Sequence, residues 1–142
     1  MKYLRKFFES ERSIDFMNSS INDVLIDLFD DGFDIDSNLK SDKLVNSKDN
    51  LGKIRIFDWH NYYPENSLPD FRKKLSLFSD YKDNFEALYN LLEEYGFVIF
   101  TISVNSIPLG VSFNGKDFDF IWNKIIDFSN DFLSISIDVY KK

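Results

Sequence analysis

INDVLIDLFDDGFDID (Ile21 to Asp36) and FEALYNLLEEYGFVIF (Phe85 to Phe100) decide the fold, because they align with each other at an offset of 64 residues. Ile21, Val24, Leu25 and Leu28 fall on Phe85, Leu88, Tyr89 and Leu92, the spacing of an amphipathic helix. Gly32 and Gly96 then stand where a helix ends best on a residue without a Cβ. Phe33 and Ile35 fall on Phe97 and Ile99 and open a strand in each copy. The offset fits either a duplication or the recurrence of a good helix-to-strand junction. Every matched position is helix stripe, terminator or strand core, so the pattern concerns folding rather than a site.

Working outward, the first helix is expected to start near Ser19 or Ser20 with Asp23 in a capping box, or as early as Ser13, since Ile14 and Met17 extend its stripe. A short strand follows at Phe33 to Ser37. Residues 38–52 (NLKSDKLVNSKDNLG) are polar and rich in turn formers and read as an exposed loop within one domain, 1–142. KIRIFDW (Lys53 to Trp59) alternates as a strand, with Ile54 and Ile56 on one face and Arg55, Phe57 and Trp59 on the other. Pro69 opens a helix with Phe71, Leu75 and Phe78 as its stripe.

The second repeated helix is expected to use Asp83 as N-cap and Glu86 as box partner. Phe97 to Val104 is apolar on both faces, which predicts the most buried strand. Asn105-Ser106 and Pro108 turn the chain into a hairpin partner at Leu109 to Phe113. Asp117 caps a helix striped by Phe118, Ile121, Trp122 and Ile125, and Leu133 to Tyr140 alternates as a last strand with one wet face.

These elements predict an α+β domain: an antiparallel or mixed sheet of four to five strands with helices packed on one face. From residue 53 the order β-α-α-β-β-α-β approximates the split arrangement of a ferredoxin-like fold (βαββαβ), preceded by an N-terminal αβ extension. Two α-β-β-α halves with a strand added describe it equally well.

Composition limits function more than it assigns it. In 142 residues, 44% are hydrophobic and 18% aromatic, including 16 Phe, enough for one sizeable core. A formal net charge of −7 argues against phosphate neutralisation and hence nucleic-acid binding, and steers the chain toward a basic partner. Cysteine is absent, which excludes disulfides and thiolate chemistry. No apolar run is long enough to span a membrane, and residues 2–9 (KYLRKFFE) read as a short helix docked on the domain rather than a membrane anchor.

Catalytic and metal-binding patterns fail one by one. The single histidine, His60, has Asp58 two residues away, but no nucleophile or second ligand is identifiable and adjacent residues at a strand end point apart. Asp30, Asp31, Asp34 and Asp36 invite a calcium loop, yet Leu39 stands at the required glycine and Val45 at the bidentate glutamate. YGFVIFTI has the aromatics of an RNA-recognition strand, but Tyr95 replaces its basic residue and Val98 its small one. Phosphate loops, nucleophile elbows and zincin motifs are missing. The expectation is a non-enzyme without cofactor or metal.

What remains is a surface. Arg55, Phe57 and Trp59 on the open sheet face, with Tyr62, Tyr63 and Tyr140, have the composition of an interaction hot spot. A helix lying over them is the competing arrangement.

The opening MKYLRKFFES, followed by the acidic helix ending in DDGF and a strand, resembles small uncharacterised proteins of tailed bacteriophages that begin MKYLK-x-FES or close to it. The resemblance covers the first 35 or so residues. It implies a viral accessory protein made in the cytoplasm of a bacterial host, and transfers no site residues. The function expected is protein–protein binding, as an inhibitor of a host or bacterial-defence protein. The alternatives are a virion structural or assembly component, and a small-molecule binder or hydrolase built on residues 58–66.

Overall fold

The computed structural model describes residues 16–39, 52–58 and 76–141. Residues 16–24 are helical (α1); a turn at Leu25 leads into α2 (Ile26–Asp30), then β1 (Phe33–Asn38) and β2 (Gly52–Asp58). β3 (Ser76–Leu77) enters a 3-10 turn (Phe78–Tyr81) and α3 (Lys82–Glu94). β4 (Phe97–Val104), β5 (Ile107–Pro108), α4 (Phe118–Phe128), β6 (Asp131–Phe132) and β7 (Ser134–Lys141) complete the order.

The main sheet has five strands in the order β1-β2-β7-β4-β5, with every neighbouring pair antiparallel. Its inner face is a grid of aliphatic rows: Ile56–Ile135–Val104, then Ile54–Ile137–Ile102, then Val139 beside Ile99. All of these side chains are buried, and the helices cover them. β3 and β6 pair separately and bring Phe78 onto Phe132, stacked at 3.9 Å; Phe33 stacks on Phe132 from the other side at 5.3 Å. Met17 and Ile21 from α1, Leu25 at the turn and Leu28 from α2 join the same core as Phe85, Leu88 and Leu92 from α3.

The expected class, an α+β fold with an antiparallel sheet and helices on one face, is what the chain adopts. β2 and β4 are both antiparallel to β7 and so run parallel to each other with β7 between them. That is a split βαβ unit, but the strand inserted in it is the last of the chain rather than the hairpin partner of β4, and a ferredoxin-like sheet is not confirmed.

The helix-to-strand unit recurs down to its hydrogen bonds. Asp31 N–H donates to the Asp27 carbonyl and Gly32 N–H to Phe29; Tyr95 donates to Leu91 and Gly96 to Glu93, at distances of 3.1 to 3.2 Å throughout. Gly32 and Gly96 have φ of 101° and 79°, the left-handed region that a Cβ disfavours. The copies pack with their helices antiparallel. Asn84 donates to the Val24 carbonyl and to Asp27 at one end, and the Phe16 and Tyr95 rings meet at the other.

Several local expectations are corrected. Of the two starts expected for the first helix, Ser19 or Ser20 is too late: it is already formed at residue 16 with Met17 buried, in line with the earlier start on the stripe that Met17 extends. Lys82 opens α3, Tyr81 is its N-cap, and Asp83 sits inside its first turn; no side chain caps it. The strand after β4 is Ile107–Pro108, not Leu109 to Phe113, since Gly110 takes φ of 71° and ends the extended run. Asn105 and Ser106, at φ of 52° and 67°, make the tight turn between the two strands.

β4 is not apolar on both faces in the sense expected. Its register shifts between Ile99 and Thr101, leaving Phe100 as a bulge. The extra residue changes which parity faces inward, so Phe97 and Ile99 serve the core before it and Ile102 and Val104 after it. Phe100 itself is exposed. Leu39 is buried and Gly52 lies in β2, so both ends of the expected 38–52 loop are packed. A Cβ on Gly52 would stand 2.9 Å from Leu39 Cδ2 and 3.0 Å from the Asn38 carbonyl oxygen, which explains the glycine there. The expected helix at residues 2–9 lies outside the described residues, as does the one from Pro69 up to Leu75; its last turn is corrected, because Ser76–Leu77 form β3 against β6 and Phe78 is in the 3-10 turn.

Candidate interaction surface

The sheet turns away from its helices a face whose rows can be read from the strand register. One row is Asp34–Phe57–Ser134, the next Asp36–Arg55–Ser136–Ser103, and a third Asn38–Lys53–Asp138–Thr101. Alternation puts these residues outward because their neighbours Ile54, Ile56, Ile135 and Ile137 are held in the core. Arg55 is exposed and Phe57 half-buried. Together with Asp34, Asp36, Asn105 and Ser134 they line a broad concavity of about 1000 Å³.

Its polar groups are largely organised by the sheet. Asp138 accepts a hydrogen bond from Thr101 at 2.7 Å and lies 3.7 Å from the Lys53 ammonium. Asn105 Oδ1 accepts from the backbone N–H groups of Leu133 (2.7 Å) and Ser134 (3.0 Å), tying the β4–β5 turn to the start of β7. These contacts fix the rim of the concavity.

Of the expected hot-spot residues, Arg55 and Phe57 share this surface. Tyr140 is on the same face but pairs with Val98, four residues along β7 from Ser136, the partner of Arg55. At about 3.4 Å per residue that is ~14 Å away. There Tyr140 packs edge-on against Phe100, ring centres 6.2 Å apart, so it belongs to a separate aromatic pair. Trp59, Tyr62, Tyr63 and His60 lie outside the described residues.

Asp58, weighed above beside His60 and set aside, is on the core side of β2: it is 2% exposed and accepts a hydrogen bond from Ser76 at 3.0 Å. The aspartates at 30–36 are divided as well. Asp31 accepts the Tyr81 hydroxyl at 2.7 Å, and burial followed by this hydrogen bond holds the Tyr81 phenol far above its usual pKa. Asp34 and Asp36 stand on the sheet face. Among the described residues, no group of three His, Asp or Glu side chains is placed to hold a metal ion.

A smaller cleft of about 350 Å³ opens between α3, β4 and the start of α4, lined by Tyr89, Glu93, Phe97, Lys116 and Asp117 among others. Tyr89 donates to the Lys116 carbonyl at 3.0 Å, and burial, then the nearby Glu93 and Asp117 carboxylates, raise its phenol pKa. Asp117 is committed to the Phe120 N–H as helix cap at 2.9 Å. These groups serve the loop and the cap and do not converge on a common point.

Sequence reading missed two residues that the structure singles out. Ile26 and Phe29 are 46% and 59% exposed on α2. The signal was available in the aligned copies, at the positions that do not match: the counterparts at the 64-residue offset are Asn90 and Glu93.

No family model matches the chain, and no curated protein or solved structure is significantly similar to it. Among the described residues, no helix is long and apolar enough to cross a membrane.

Proposed function

We propose that this chain is a non-enzymatic binding protein whose open sheet face engages another protein. The observation that carries the reading is the combination of helices on one side of the sheet with Arg55 and Phe57 displayed in the concavity on the other. Arginine beside an aromatic ring on a polar-rimmed surface is the composition from which binding hot spots are built. The net charge of −7 favours a partner with a basic surface, through steering and charge complementarity. The phage-like opening of the sequence supports a partner in a bacterial host and a role as inhibitor of a host or defence protein.

The test is capture from bacterial lysate on immobilised wild-type protein, identification of a stoichiometric partner, and calorimetry with that partner purified. Arg55→Ala is expected to weaken binding by about tenfold or more with an unchanged thermal transition. Equal affinity of Arg55→Ala and wild type removes the sheet face as the binding site. A virion component would instead be recovered as a high-order assembly of itself.

A further inference from the structure

Copy one of the repeat differs from copy two in one consistent way. Residues 21–36 carry six aspartates and no lysine or arginine, a net charge of −6, whereas residues 85–100 carry three glutamates and no base, net −3. Within that acidic stretch, Ile26 and Phe29 are exposed, one helical turn apart, with exposed Asp23, Asp27 and Asp30 around them.

Exposed apolar side chains are often incidental. Here the repeat supplies a control. The equivalent positions in α3, with the same helix stripe, the same glycine terminator and the same end-of-helix hydrogen bonds, are Asn90 and Glu93, both exposed. The helix-to-strand unit therefore folds with polar residues there, and neither Ile26 nor Phe29 is required by its architecture.

We infer that the outer face of α2, with Ile26 and Phe29 as apolar anchors ringed by Asp23, Asp27 and Asp30, is a docking surface for a protein segment that presents an apolar stripe flanked by lysine or arginine. An amphipathic basic helix has that chemistry: its apolar side covers the two anchors and its cations meet the ring of carboxylates. Charge decides against two other occupants. An anionic membrane surface is repelled by this face, and a second copy of the chain would bring one −6 segment against another. The inference shares with the proposed function the reading of the chain as a protein-binding module, but uses a separate surface, so the two fail separately.

The experiment titrates full-length protein with two synthetic probes, a helical peptide made only of lysine and leucine with all leucines on one side, and polylysine, by calorimetry at low and high salt. Wild type is expected to bind the amphipathic peptide with a one-to-one endpoint and salt-weakened affinity, and more tightly than polylysine. The double variant Ile26→Asn/Phe29→Glu, which writes copy two's residues into copy one, is expected to lose at least about tenfold in affinity while its thermal transition stays in place. Arg55→Ala is expected to bind this peptide like wild type even if it loses the sheet-face partner. Equal binding of the double variant, equal affinity for polylysine, or no binding of the peptide overturns the inference. Self-association that Ile26→Asn/Phe29→Glu abolishes would assign the face to a homodimer and overturn it too.

Discussion

The units at Ile21 to Asp36 and Phe85 to Phe100 share an inner face and a terminator, and part company wherever a side chain points to water. Leu28 and Leu92 are both fully buried; Gly32 and Gly96 both take positive φ; Phe33 and Phe97 both enter the core. Outside, copy one shows Ile26, Phe29 and aspartates where copy two shows Asn90, Glu93 and a milder charge. Their strands differ as well. β1 lies at the end of the sheet with Asp34 and Asp36 on its wet face, and such charges discourage indiscriminate strand pairing at an edge. β4 lies inside the sheet and bends through a bulge at Phe100. The lesson is that packing constrains one side of each unit and leaves the other free to specialise.

The largest effects should be symmetric between the copies. Leu28→Ala and Leu92→Ala each remove a fully enclosed side chain, and each is expected to cost about 2–5 kcal/mol in urea unfolding. A negligible loss in one copy alone would break the equivalence. Next is the terminator. Gly96→Ala is expected to cost about 1–2 kcal/mol, all of it from the left-handed backbone, because an added Cβ there meets nothing within 4 Å.

A third effect sharpens the contact between copies. Tyr81, at the entrance to α3, donates to Asp31 at the end of α2, and Tyr81→Phe is expected to cost about 1.5–3 kcal/mol as a lost hydrogen bond to a carboxylate. The folded state favours the neutral phenol, since its pKa is raised from 10.0. The contribution is therefore complete below pH 10.0 and is lost as pH rises above it. Wild type should lose stability faster than Tyr81→Phe in alkaline thermal melts. The smallest effect is expected on the outer face, where Ile26→Asn/Phe29→Glu should change stability by no more than about 0.5 kcal/mol per site.

Much of this architecture was legible because periodicity and punctuation agree. The stripes of α3 and α4, the Asp117 cap, the Gly32 and Gly96 stops and the alternation of β7 are all written in local sequence. What could not be read depends on partners distant in the chain. FVIFTISV reads as apolar on both faces until pairing with β7 places a bulge at Phe100 and switches the inward parity. Placing β7 between β2 and β4 rests on cross-strand packing of Ile135 and Ile137 with Ile56, Ile54, Val104 and Ile102, which no window of neighbouring residues contains. The proposed sheet-face surface was half legible. Alternation put Arg55 and Phe57 outward, but only the register shows that Tyr140 stands with Phe100 instead.

The central claim is that copy one's outer face is specialised for binding while copy two's is scaffold. Residue-resolved amide NMR during titration with the lysine–leucine peptide tests it most directly. The account predicts shift changes concentrated on Asn22 to Asp31, with the matching Glu86 to Tyr95 silent. Equal changes on both helices, or changes confined to the sheet around Arg55, would contradict it.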